Sequence, residues 1–276
     1  MEHATSVLTI TSDLDFHWVG SSGASTGRSP STGVSVSAGS IILSEGLGTM
    51  VLILFGAGVV ANVLLTRTND DGDTASWVLI TLGWGFAVFA GASIADATGG
   101  AINPAVTLGS AISGGTPWSQ VPWYLIGQFL GAFVGAVLAW LVYKAQFDAN
   151  EDNSGTLNIF STNPPIKAPV WNVVTEIIAT FALVLFLLVA PYGDSPAIYA
   201  CAAAVVVGIG QSLGGPTGYA INPARDLGPR IAYAVLPIRG KGKPDWGYSW
   251  VPVVAPLIGA TLAALVAMIA PVKTGG

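Results

Sequence analysis

Apolar residues along this chain are gathered into six long runs separated by polar stretches. The runs predict spans over about 40–62, 76–95, 121–143, 170–190, 196–213 and 250–270. Each is near the ~20 residues that a helix needs to cross a bilayer. Two shorter helical stretches interrupt the series, at about 103–113 and 222–235. At 1.5 Å per residue the first is roughly 17 Å long, half a bilayer. Residues 1–39 are rich in Ser, Thr and Gly and read as a disordered polar tail. They lack a charged segment followed by an apolar one, so they do not read as a secretory signal. Loop 63–75 is polar and acidic, loop 236–248 is basic and Gly-rich, and 272–276 is a short tail.

The two halves of the chain match. Residues 44–60 pair with 175–191, which aligns Glu45 with Glu176, and 126–142 pair with 254–270. Each half, about 40–143 and 170–271, holds three spans and one half-length helix, and 144–169 joins them as a polar linker. Three is odd, so the second half must insert upside down. The predicted fold is an all-α membrane protein, with six transmembrane helices and two half-membrane re-entrant helices. It forms one inverted-repeat domain over 40–271.

Composition narrows the function classes. The chain is 52% hydrophobic and 9% charged, against roughly 25% charged residues in a soluble domain. A net charge of −5 leaves no basic footprint for nucleic acid. Histidine is limited to His3 and His17, and Cys201 is the only cysteine. No disulfide can form within the chain, and no metal or cofactor is expected. Spans without His, and without paired carboxylates beside a nucleophile, argue against a membrane enzyme.

The candidate chemistry is concentrated in a repeated motif. Residues 97–109 read ATGGAINPAVTLG and 216–228 read PTGYAINPARDLG. Asn is a good N-cap and Pro suits the first helical position, so helices should start at Asn103-Pro104-Ala105 and at Asn222-Pro223-Ala224. The Gly-rich stretches before them lie at membrane depth, where bare backbone must line a cavity. Inversion should bring Asn103 and Asn222 together near the centre. Two helix N-termini, each about half a positive charge, would repel cations there. The Asn amides would donate to a passing oxygen. Glu45 and Glu176 cost roughly 2.5–3.5 kcal/mol each in a span. They are expected to accept hydrogen bonds from the non-helical segments, with a proton relay as the alternative. Arg225 sits against the dipole of its own helix, which suggests work in the lumen.

These residues resemble the major intrinsic protein family, the aquaporins and glycerol facilitators. The likeness covers about 40–271 and is nearer the glycerol uptake facilitators. Their branch markers match Tyr143, Asp226, Arg230, Pro252 and Val253. The family's selectivity constriction maps onto Trp84, Gly210, Tyr219 and Arg225. Trp84 lies one residue nearer Asn103 than the family spacing, and Gly83 is the alternative match. In the implied filter, Trp84 and Tyr219 form an apolar corner for CH groups, Arg225 binds hydroxyls opposite, and Gly210 leaves width. The resemblance implies a passive plasma-membrane channel for glycerol, other small uncharged solutes and water. It implies exclusion of ions and protons, a homotetramer, and both termini in the cytoplasm. Two positions depart from the family: Ala101 stands where many members have His, and Asp96 where an uncharged residue is usual. The charge distribution opposes the implied orientation. It would place Arg28 and Lys273 inside, but Arg67, Lys144, Lys167, Arg239, Lys241 and Lys243 outside. A water-selective pore is the nearest alternative. An ion-coupled transporter using Glu45 and Glu176 is the more distant one.

Overall fold

A computed structural model describes residues 36–66, 68, 76–191, 195 and 197–270. Most of the 1–39 tail lies outside the described residues, as do His3, His17, Arg28, Arg67, Lys273 and the 272–276 tail. The described residues form helices and no strands. Helix α1 (Ala38–Leu64) is followed by α2 (Ser76–Ile94), a short 3₁₀ turn (Asp96–Thr98), α3 (Pro104–Ile112) and α4 (Val121–Val142). Then come α5 (Lys144–Ala149), α6 (Leu157–Phe160), α7 (Pro169–Val189), α8 (Ala197–Leu213), α9 (Pro223–Val235) and α10 (Val251–Ile269). Five helices, α1, α2, α4, α7 and α10, are long and apolar enough to cross a membrane, and α8 is a shorter apolar helix of 17 residues. The nine residues of α3 and thirteen of α9 reach only about 14 and 20 Å.

Helix α1 begins at Ala38, two residues before the expected start of the first span. Ser37 caps it, its side chain accepting from Ser40 N at 3.2 Å. Within lipid, helices gain little from apolar burial, so close backbone contact must hold them together. The α1–α4 pair shows this: a Cβ on Gly131 would lie 2.1 Å from the Gly46 carbonyl oxygen. The equivalent pair in the second half, α7–α10, meets at Gly259, where a Cβ would stand 2.5 Å from Ile177 O. Leu43, Phe55, Phe86, Leu130, Val170 and Ile269 remain exposed on the outside of the bundle, as a lipid-facing surface requires.

The half-length helices cross between halves: α3 packs on α10, and α9 packs on α4. Residues 144–169, expected as a plain polar linker, fold back into the bundle. The aromatic rings of Phe147, Phe160 and Tyr233 follow one another at centroid distances of 6.0 and 5.3 Å. Asn153 Nδ2 donates to the carbonyls of Phe147 and Arg239 at 2.9 and 2.8 Å. The apolar members of this segment are too scattered to show as a run, yet Leu157, Ile159 and Phe160 are all buried.

Candidate functional site: a polar axis through the bundle

The two loops before α3 and α9 have nearly the same backbone. Gly99 and Gly218 have φ of 83° and 86°, and Ile102 and Ile221 have φ of 41° and 43°. Between them, Gly100 and Tyr219 also take positive φ, 62° and 39°. A β-branched residue at positive φ is an outlier and costs on the order of 1–3 kcal/mol. Something must hold each isoleucine there, and both of its backbone polar groups are held.

The buried glutamates hold the N–H side. Glu45 accepts from Ile102 N at 2.7 Å, Ala101 N at 3.3 Å and Thr98 Oγ1 at 2.7 Å. Gln128 Nε2 completes the set at 2.7 Å and also donates to Thr107 Oγ1 at 2.9 Å, tying α4 to α3. Glu176 repeats the pattern, with Ile221 N and Ala220 N at 2.9 Å and Thr217 Oγ1 at 2.6 Å. Both carboxylates are fully buried. Several charge-assisted hydrogen bonds offset the cost of burying each of them. Neither lines the two cavities described below.

The asparagines hold the C=O side, and they do so crosswise. Asn103 Nδ2 donates to Ile221 O at 2.8 Å, and Asn222 Nδ2 donates to Ile102 O at 2.9 Å. Each Asn caps its own helix as well. Asn103 Oδ1 accepts from Ala105 N at 2.9 Å, and Asn222 Oδ1 accepts from Ala224 N and Arg225 N at 3.0 and 3.2 Å. Pro104 and Pro223 follow at the first helical position, and both are buried with Ala105 and Ala224. This crosswise use leaves room for the expected donation to a passing oxygen. An Asn amide has two N–H groups, and one on each side locks the halves together.

The axis along this clasp is hollow. A cavity of ≈ 450 Å³ has Asn103, Asn222, Trp84, Tyr219 and Arg225 among its lining residues. A second, of ≈ 340 Å³, is also lined by Trp84, Tyr219 and Arg225. These three side chains are thus the partition between the two spaces. The Arg225 guanidinium carbon lies 3.8 Å from the centre of the Trp84 ring, on its face. Arg225 and Trp84 are thus in cation–π contact. The ring has room because residue 56 is glycine: a Cβ there would fall 2.2 Å from Trp84 Cζ3. Gly83 faces Val59, whose side-chain carbons lie 2.6–2.8 Å from where its Cβ would be.

Gly210 lines neither cavity. A Cβ at this position would lie 2.7 Å from Thr81 Cγ2 and 2.8 Å from Tyr219 Cζ. The width it leaves is filled by the Tyr219 ring, which can lie back against α8. Trp77, which the sequence did not single out, pins both. Its Nε1 donates to Gly210 O at 3.2 Å, and its ring meets Tyr219 edge-on at 6.0 Å.

Arg225 is positioned by the former linker. Its Nη1 donates to Phe160 O at 3.1 Å. The next two residues are anchored to α9. Ser161 Oγ donates to Asp226 O at 2.9 Å, and Thr162 donates through N and Oγ1 to Asp226 Oδ2 at 2.7 and 2.6 Å. Asp226 Oδ1 receives Arg230 Nε at 2.9 Å, and Arg230 Nη2 donates to Thr162 O at 2.8 Å. The Arg230 Nη1 bond to Pro244 O, at 2.7 Å, ties in the loop before α10. Asp226 and Arg230 thus form a fully buried pair that fixes the carbonyl facing Arg225. Tyr143, at the C-terminal end of α4, and Pro252 and Val253, in the first turn of α10, stand outside both cavities. Phe160, Ser161 and Thr162 left no signal in the repeat, because they lie between the halves and have no counterpart. Thr162→Val should lower stability by about 1.5–3 kcal/mol, the usual size of a hydrogen bond to a charged group. Thermal unfolding in detergent would measure it, and a change under 0.5 kcal/mol (about the scatter of a neutral surface substitution) would mean that the backbone N–H alone anchors the segment.

Comparison with known proteins agrees with this geometry. The chain is 48% identical over 228 residues to a glycerol uptake facilitator protein of Streptococcus pneumoniae, covering 82% of this chain and 97% of that protein. It is 47% identical over 231 residues to a probable glycerol uptake facilitator protein of Thermotoga maritima, with the same coverage of 82% and 97%. Among solved structures, the X-ray structure of the aquaglyceroporin from Plasmodium falciparum superposes with a TM-score of 0.73 at 29% identity, covering 83% of this chain and 95% of that one. The family description Major intrinsic protein matches residues 33–267. With two crosswise-clasped half-helices at its centre and this match over most of its length, the chain belongs to the major intrinsic protein family.

Proposed function

We propose that this protein is a passive channel for glycerol and other small uncharged solutes, together with water, and not an enzyme. One observation carries the reading: two cavities meet at Trp84, Tyr219 and Arg225, beside helix N-termini that point at the same axis. Trp84 and Tyr219 offer apolar ring surface to the CH groups of a polyol. The Arg225 guanidinium and the remaining amide hydrogens of Asn103 and Asn222 offer donors to its hydroxyls. The two helix dipoles and the Arg225 charge repel cations and hydrated protons. Glu45 and Glu176 serve as loop anchors, since their oxygens are taken by backbone N–H groups away from the cavities.

The protein acts in the plasma membrane with both termini in the cytoplasm, as a homotetramer in keeping with its resemblance. Three of the basic residues that this orientation puts outside have local partners. Lys144 pairs with Asp148 and Lys167 with Asp245. Lys241 Nζ donates to the carbonyls of Tyr233, Ala234 and Leu236, at the end of α9. Their charge is used structurally, which weakens their weight in a count of loop charges.

Stopped-flow light scattering on proteoliposomes tests the reading. Glycerol and water should both enter faster than in empty vesicles, and neither should accumulate above equilibrium. Water flux without glycerol flux would establish a water-selective pore instead. Replacing Arg225 with Val should weaken solute discrimination and admit a proton leak, read with a pH-sensitive dye inside the vesicles. Unchanged selectivity would remove Arg225 from the filter.

A further inference from the structure

The larger cavity carries a charge that the channel reading does not use. Among its described lining residues, Asp96 and Arg225 are the only charged side chains. Arg225 stands at the partition. Asp96 is exposed and so marks the cavity's mouth, on the side where α1 begins: Thr98 of the same 3₁₀ turn touches Ser44 Oγ at 3.1 Å. The Asp96 carboxylate is oriented by a buried neighbour. Tyr199, on α8, donates its hydroxyl to Asp96 Oδ1 at 2.8 Å. The Tyr199 ring is itself set against the loop, since a Cβ on Gly100 would lie 2.9 Å from Tyr199 Cε1. Asp96 Oδ2 takes no hydrogen bond from a described residue.

Much of the remaining lining is apolar, including Val88, Leu187, Leu188 and Ile198. The chamber therefore combines a fixed carboxylate and loop backbone with hydrocarbon surface. At ≈ 450 Å³ it holds many times the ~30 Å³ of one water. Ala101, with only a methyl side chain, is among its lining residues.

We propose that Asp96, oriented by Tyr199, is a capture site for vicinal diols at this mouth. This rests on the channel reading above. A carboxylate has two oxygens with about four acceptor positions. It can accept hydrogen bonds from hydroxyls on adjacent carbons, with apolar lining residues available to their CH groups. Both bonds are charge-assisted, so they outcompete a neutral acceptor. The site selects for adjacent hydroxyls, a feature that a filter measuring width and single donors does not read. It acts on occupancy of the chamber and so on flux at low solute concentration.

The test compares wild type, Asp96→Asn and Tyr199→Phe in proteoliposomes. Glycerol and 1,2-propanediol carry vicinal hydroxyls; 1,3-propanediol and urea do not. Asp96→Asn should lower low-concentration flux of the first two about threefold to tenfold, the effect of turning a charge-assisted bond into a neutral one. It should raise their half-saturating concentration and leave 1,3-propanediol, urea and water within about twofold of wild type. Tyr199→Phe should follow in the same direction with a smaller loss. An equal loss for all solutes would mean a distorted pore, and no loss for any would mean an idle carboxylate; either overturns the site. Absence of glycerol flux in the wild type would overturn the channel reading, and this site with it.

Discussion

Asp226→Ala should destabilise the protein by about 3–5 kcal/mol and abolish most solute discrimination. The magnitude follows from leaving a buried charge without its partner. Asp226 and Arg230 are both fully buried, so water cannot enter to solvate Arg230. The remaining acceptors of Arg230, the carbonyls of Thr162, Pro244 and Asp245, are dipoles and do not replace a counter-charge. The loss of discrimination follows from what Asp226 anchors. Without it, the two Thr162 hydrogen bonds are lost. The adjoining Phe160 carbonyl is then no longer fixed beside Arg225. Reversible unfolding in detergent would give the stability change, and proteoliposome flux ratios the functional one. Combining Asp226→Leu with Arg230→Met should recover much of the stability, because replacing both members of a buried pair with apolar residues is often neutral or stabilising. It should not recover discrimination, since neither new residue can hold Thr162. A destabilisation below 1 kcal/mol for Asp226→Ala (far short of the 3–5 expected of a broken buried pair) would show that the pair is dispensable.

Gly210→His should reduce glycerol flux by about tenfold or more while reducing water flux far less. A tenfold loss corresponds to ~1.4 kcal/mol of added barrier. The structure alters the reason for this effect. An imidazole at 210 does not simply enter an open lumen, since its Cβ already meets Tyr219 Cζ at 2.8 Å and Thr81 Cγ2 at 2.7 Å. The Tyr219 ring must swing away from α8, towards Trp84 and Arg225. Gly210→Ala should therefore already lower glycerol flux, by a smaller factor, through displacement of the ring alone. If alanine has no effect and histidine a large one, the imidazole itself obstructs the path. If glycerol and water fall together in both variants, the constriction is elsewhere.

The repeated Asn-Pro-Ala was legible because a helix start is a local event. Its N-cap, its proline and the Gly-rich approach lie within a few residues, so the chain alone announces them. The six apolar runs were legible for a similar reason, as a lipid-facing helix is apolar over its length. The boundaries moved where a side chain intervened, as at Ser37. The burial of the linker was not legible because its buried residues, Phe147, Leu157 and Phe160, are separated in the chain by polar ones. Trp77 left no trace because its partners, Gly210 and Tyr219, are more than 130 residues away in the chain.

The sequence by itself determined the helical membrane class, the duplicated architecture and the two helix starts, and its family likeness named the candidate filter residues. All of these rest on composition, spacing and short-range capping. Only the tertiary structure decided how the two loops hold each other: Asn103 on Ile221, Asn222 on Ile102, with Glu45 and Glu176 behind them. It also decided that Arg225 lies on the Trp84 face, that Tyr219 fills the space beside Gly210, and that Phe160 reaches Arg225 at all. The reason is physical. A hydrogen bond or ring contact between segments a hundred residues apart depends on where helix packing brings them, and glycine-to-backbone contacts in lipid set that placement to fractions of an ångström.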